Sequence, residues 1–242
     1  MTDVTLPHFP GDLLREANLL WEIQGTVLSG GQTATGAMPI TRLDGGGLWK
    51  CTLGQVGLWD ADRRRSWRAL TAICDGGAQP IVVPVHDMVD QPWPLIGGVP
   101  DMTFDIVSHD DGTFFDDGTG YESGLIEINC AGGASLRETG MNVRIVAGDD
   151  LKGGEHFSID HPDLRHRLYR VRTAVDNGGG SWAITFRPPL RADVLDGTQL
   201  NFDRPQCVMR LAKPDAMDAT FEPPFNSNAD VSFIEAFPPF PD

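Results

Sequence analysis

Short runs of alternating apolar and polar residues, each cut off by glycine or proline, recur along most of the chain. Strict alternation puts every second side chain on one face, as in a strand with one buried side. Trp21, Ile23, Gly25 and Val27 alternate with Glu22, Gln24 and Thr26, and Ser29-Gly30-Gly31 ends the run. Leu48 to Leu53 reads as a strand returning from the hairpin signal Asp44-Gly45-Gly46-Gly47. Gln79 to His86 is β-branched, and Pro84 assigns it to an edge or a bulge. Met102, Phe104 and Ile106 form a short strand. Further strands are read at Leu125–Cys130, Met141–Ala147, His156–Ile159, Leu168–Val175 and Trp182–Arg187, then at Leu200–Phe202 and Cys207–Leu211. Asn177-Gly178-Gly179-Gly180 is a hairpin turn between two of them. This spacing, with 28 Gly and 18 Pro, predicts an all-β chain: a closed or split β-barrel or sandwich.

Helical signals are few. Asp60 is a good N-cap, and Trp67, Leu70 and Cys74 fall on one face before Gly76-Gly77. These predict one amphipathic helix over about 60–75. A second short helix is expected from Gly11 to Leu20. The chain is expected to divide into an N-terminal segment (1–20), a β-barrel body (21–212) with a loop-rich insertion at about 88–124, and a Pro/Phe-rich C-terminal arm (213–242). Both termini are read as extended.

Charge narrows the function classes. The 34 acidic residues outnumber 19 Lys and Arg, for a net charge of −15. Such a surface repels phosphate backbones and anionic lipid, so neither specific nucleic-acid binding nor membrane binding is expected. No apolar run has the length of a membrane span, and the N-terminus has no secretory pattern. Cys51, Cys74, Cys130 and Cys207 stand far apart without a C-x-x-C pair, and read as buried small hydrophobes rather than disulfide or metal ligands.

The sequence carries no recognisable catalytic or metal-binding motif. His161 and His166, five apart around Pro162, match neither a helical nor a strand ligand pair, and no metal site is assigned. The repeat DDGTFF-DDGTGY (110–121) lacks calcium-loop spacing and reads as an exposed loop. G-x-S-x-G is absent, and the glycine runs lack the context of a phosphate loop. Cys130, before Ala131-Gly132-Gly133, is the least unfavourable nucleophile, and Asp116 and Glu122 the acids to consider for glycan hydrolysis. No catalytic residue or cofactor is assigned, and no enzyme activity is expected.

Four phrases resemble the distal tail, baseplate-proximal family of siphophage-type tail structural proteins. They are GGGLWKCTLGQVGLWDADRRRSWRALTAICDGGAQPIVVPVHD (45–87), HDDGTFFDDGTGY (109–121), LKGGEHFSIDHPDLRHRLYRVRTA (151–174) and WAITFRPPLRADVLDGTQLNFDRPQCVMRLA (182–212). The resemblance implies a β-barrel virion protein at the phage tail tip, made in the host cytoplasm. It also implies a homo-oligomeric ring, a hexamer, around the DNA channel, which joins the tail tube protein to hub, baseplate and fibre proteins. It brings no catalytic residues.

Two surfaces are interface candidates on this reading. Arg63, Arg64, Arg65 and Arg68 cluster on the predicted helix and suit an acidic neighbour. Phe221, Phe225, Phe233, Phe237 and Phe240 crowd the C-terminal segment, which either folds back on the barrel or crosses to another subunit. The alternative function is a β-sandwich carbohydrate-binding, receptor-binding module of a phage tail, with Trp93, Trp182 and Tyr121 as stacking candidates and Trp182 equally readable as core.

Overall fold

A computed structural model describes residues 6–25, 27–42, 46–86, 90–102, 106–107, 121–122, 125–219 and 227–240. In chain order the first strands are β1 (Asn18–Gln24), β2 (Val27–Ser29), β3 (Ile40–Arg42) and β4 (Leu48–Gly57), followed by helix α1 (Ala61–Cys74). Next come β5 (Ile81–Pro84), β6 (Leu95–Ile96), β7 (Val99–Pro100), β8 (Ile106–Val107) and β9 (Tyr121–Glu122). The second half adds β10 (Glu127–Ala131), β11 (Gly140–Ala147), β12 (His156–His161), β13 (Arg165–Gly178), β14 (Ser181–Arg187), β15 (Gln199–Leu200), β16 (Gln206–Leu211) and β17 (Asn228–Glu235). Among the described residues the chain is all-β apart from one α-helix and a short 3-10 turn after it.

Two large sheets carry the fold. A five-stranded sheet runs β1-β4-β17-β16-β5, and a six-stranded sheet runs β12-β13-β14-β11-β10-β15. The six-stranded sheet curls into a nearly closed barrel. Across its two ends, Ser158 of β12 and Asn201, next after β15, exchange backbone hydrogen bonds of 2.9 Å in both directions. Phe157, Tyr169, Phe186 and Phe202 fill it, with ring centroids 5.2–5.7 Å apart. Each such ring buries a large apolar area, and the edge-to-face pairs add specific attraction.

The other core lies between the five-stranded sheet and α1. Asp60 caps the helix by accepting a 2.8 Å hydrogen bond from the Arg63 amide, as its sequence position predicts. Trp67, Leu70 and Cys74 are the helix's buried residues. The Trp67 indole N–H, which must find an acceptor when buried, donates to the Met217 carbonyl at 3.0 Å. Asp75, Gly76 and Gly77 then turn left-handed, with φ of 42°, 58° and 94°. Two successive glycines make that exit cheap.

Strand β13 joins the two cores. Leu168 packs into the helix-side core, while Tyr169 and Val171 point into the barrel. Trp49 of β4 donates its indole N–H to the Leu168 carbonyl at 2.6 Å.

Two expectations are corrected. The expected helix from Gly11 to Leu20 is a single turn, with Leu13 and Leu14 amides bonded to the Pro10 carbonyl. From Asn18 the chain is strand, paired with β4 from Asn18↔Gly54 to Gln24↔Leu48. A short helix must meet its nucleation cost, and a full ladder on β4 outcompetes it. Within the segment expected to be a C-terminal arm, residues 228–235 are not extended away from the body. Asn228–Glu235 is the central strand of the five-stranded sheet, bonded to β4 on one side and β16 on the other. Its inward residues Ala229, Val231, Phe233 and Glu235 alternate with exposed or half-buried ones.

Candidate functional site

The candidate interface residues separate into different environments. Phe233 has no exposure and stacks edge-on against Phe9 at 6.0 Å, so it is core and not an interface residue. Phe237 is 40% exposed and Phe240 half-buried. Phe221 and Phe225 lie outside the described residues.

Phe237 sits over a buried ionic seam between the two sheets. Glu235 accepts from Arg167 Nη1 at 3.4 Å on one carboxylate oxygen. Its other oxygen accepts from Arg191 Nη2 at 2.9 Å and from the Trp49 amide at 3.2 Å. Arg167 also donates to the carbonyls of Ala236 at 2.6 Å and Leu164 at 2.6 and 2.9 Å. Both guanidiniums face the Phe237 ring, at 4.4 and 5.3 Å from its centroid. One carboxylate thus ties β17 and β4 to the barrel. Such a group is tolerated in the interior because its lone pairs are met by charged or backbone donors.

The arginines of α1 are partly committed within the chain. Arg63 pairs with Asp60, donates Nε to the Leu13 carbonyl at 2.9 Å and lies 4.2 Å over the Trp59 ring. Arg65 pairs with Asp62 at 3.0 Å on the exposed face. Arg64 is half-buried and Arg68 exposed on the same helix. Exposed Trp59 and Ile73, at 52% and 44%, flank this basic surface.

A cavity of about 630 Å³ lies between the N-terminal segment and the ends of β5 and β16, lined by Phe9, Arg15, Glu16, His86, Arg204 and Gln206 among others. His86 Nδ1 hydrogen-bonds both Glu16 oxygens at 2.8 and 2.9 Å. Burial pushes the Glu16 carboxyl up, but the His86 hydrogen bond and neighbouring charges hold it below the usual range. Gly11 abuts the imidazole, since a Cβ there would fall 2.0 Å from Nε2.

Two histidines and the four cysteines are enclosed within the protein. His156 accepts from Arg170 Nε at 2.9 Å, and burial plus that cation push its pKa down to about 4. Burial and Arg167 do the same to His161, again to about 4. All four cysteines are buried and free; burial pushes Cys74 up to about 11 and raises Cys51, Cys130 and Cys207. Cys130 therefore lacks the exposed, electropositive setting of a reactive thiol. Trp93 and Trp182 are 2% and 9% exposed in the barrel core, so neither is a sugar platform. Asp116 lies outside the described residues, as do the side chains of Tyr121 and Glu122. Among the described residues, no group of His, Cys, Asp and Glu could hold a metal ion, and no helix is long and apolar enough to cross a membrane.

Two hairpins, not anticipated from the sequence, each group several exposed apolar side chains. One is β2–β3, with Leu28, Met38 and Ile40 at 58%, 55% and 65% exposure. The other is β6–β7, with Leu95, Ile96 and Val99 at 49%, 69% and 66%. The signal available beforehand was charge: no charged residue occurs from Ile23 to Thr41, or from Gln91 to Pro100.

The chain matches no family model and no curated protein sequence.

Proposed function

We propose that this chain is a structural subunit of a bacteriophage tail, a distal tail or baseplate ring component that surrounds the DNA channel. It joins the tail tube to the hub or fibres. The observation that carries the reading is where the resembling phrases fall in the fold. Residues 45–87 supply β4, α1 and β5, and residues 151–174 and 182–212 supply most of β12 through β16. These segments are neighbours in one two-sheet body, locked by the Glu235 seam.

The charge supports the reading. A channel that conducts DNA must not bind it, and a net charge of −15 on each subunit gives acidic surface to line one. Oligomers of a single chain close by symmetry, and a ring requires two different, complementary surfaces on each copy.

The test is light scattering with electron microscopy on the purified chain, and pull-down with purified tail tube protein. A closed ring with a central acidic channel is expected. A monomer that binds no tail protein overturns the proposal.

A further inference from the structure

The β2–β3 hairpin leaves the body and returns to the same place. Gln24 at the end of β1 pairs with Leu48 at the start of β4, so β2 and β3 fall in sequence between two strands that already pair with each other. The hairpin pairs as a two-stranded sheet of its own, Val27↔Arg42 through Ser29↔Ile40. Beyond the strands it stays ordered by its own backbone: Gly30 N–H donates to the Pro39 carbonyl and Thr33 N–H to the Ala37 carbonyl, both at 2.8 Å. Every residue from Leu28 to Thr41 is exposed. An isolated two-stranded hairpin is marginal in water, and three large aliphatic side chains on it add a further drive toward cover.

Charge identifies the cover. In a chain of net charge −15, Ile23 to Thr41 is the longest stretch without a charged residue. Two copies of an acidic protein repel each other except where neutral surface meets neutral surface. The β6–β7 hairpin offers that surface. Leu95, Ile96 and Val99 stand exposed around Gly97-Gly98, within the charge-free run from Gln91 to Pro100. Three other exposed aliphatics sit beside charge: Leu195 lies between Asp193 and Asp196, Leu136 precedes Arg137 and Glu138, and Val175 adjoins Asp176.

We propose that the β2–β3 hairpin is an assembly arm that seats on the β6–β7 hairpin of a second copy of this chain. The contact is heterologous, arm to platform, so each copy uses both surfaces and the chain of contacts continues into a ring or filament. This rests on the reading of the chain as a self-assembling subunit.

The test uses the full chain. In one arm, Leu28→Asp, Met38→Asp and Ile40→Asp are combined and the mass is measured by light scattering at fixed concentration. The native chain should be oligomeric and the triple variant monomeric, with association weakened at least tenfold and near-ultraviolet circular dichroism unchanged. In the other arm, chains with Ile40→Cys are mixed with chains with Ile96→Cys under mild oxidation; the native cysteines are all buried. Cross-links should form in the mixture and not in either population alone. A triple variant that keeps the native oligomer overturns the arm and leaves the ring reading standing. Cross-links within the Ile40→Cys population alone overturn the arm-to-platform geometry. Loss of tail tube protein binding with an intact homo-oligomer assigns the arm to another partner and overturns it. A monomeric native chain overturns the arm, and if it also binds no tail tube protein the reading of the chain as a tail subunit falls with it.

Discussion

Arg167 and Glu235 form an ion pair of 3.4 Å in which neither side chain has any solvent exposure. They come from different sheets, so the bond spans the joint of the molecule. Removing one partner strands the other charge in the interior. Glu235→Ala should destabilise the fold by about 3–5 kcal/mol, the usual cost of breaking a buried pair. Urea unfolding would measure it, and a midpoint within error of the native protein would show that the seam is not structural.

His156 and His161 should make stability pH-dependent. In the folded chain each stays neutral until about pH 4, while in the unfolded chain each takes a proton near 6.5. Unfolding therefore takes up protons in that window. Their contribution is complete above pH 6.5 and is lost as the pH falls toward 4. Replacing both with Gln should flatten the dependence of the urea midpoint between pH 6.5 and 4; an unchanged slope would contradict the assignment.

Gly11→Ala should cost about 1–3 kcal/mol, as overpacking does. The new Cβ collides with His86 Nε2 and must push the ring away from Glu16. The His86→Ala, Gly11→Ala double variant should lose less than the sum of the two single changes, because the colliding ring is gone.

Thiol labelling offers a check on the cores. Cys51, Cys74, Cys130 and Cys207 are all buried with raised pKa values, so the native protein should react with a thiol-specific dye only on the timescale of opening. Denatured chain should label at all four at once. Rapid labelling of Cys130 in the native state would mean the barrel end is open.

Much of this was legible from local pattern. The Asp60 cap, the Trp67, Leu70 and Cys74 spacing and the Gly76-Gly77 exit each involve residues within a few positions of one another, and all hold. The turn at Gly178–Gly180 likewise joins β13 to β14. The failures are non-local. The alternation at Val231-Ser232-Phe233-Ile234 is local, but its place between β4 and β16 is set by residues far away in the sequence. Arg167 is buried because Glu235 waits 68 residues further on. The two hairpins are a different case, since their missing charges are visible in the sequence itself.

The position of β17 has a consequence for how the protein is made. The middle of the five-stranded sheet comes from residues 228–235, while its neighbour β4 is translated more than 170 residues earlier. Until that segment leaves the ribosome, β4 and β16 face a vacant slot with unpaired backbone groups, the kind of edge on which nascent chains pair wrongly. The emerging chain therefore depends on late closure of its first sheet, and a product ending before Asn228 would be a sheet divided down its centre.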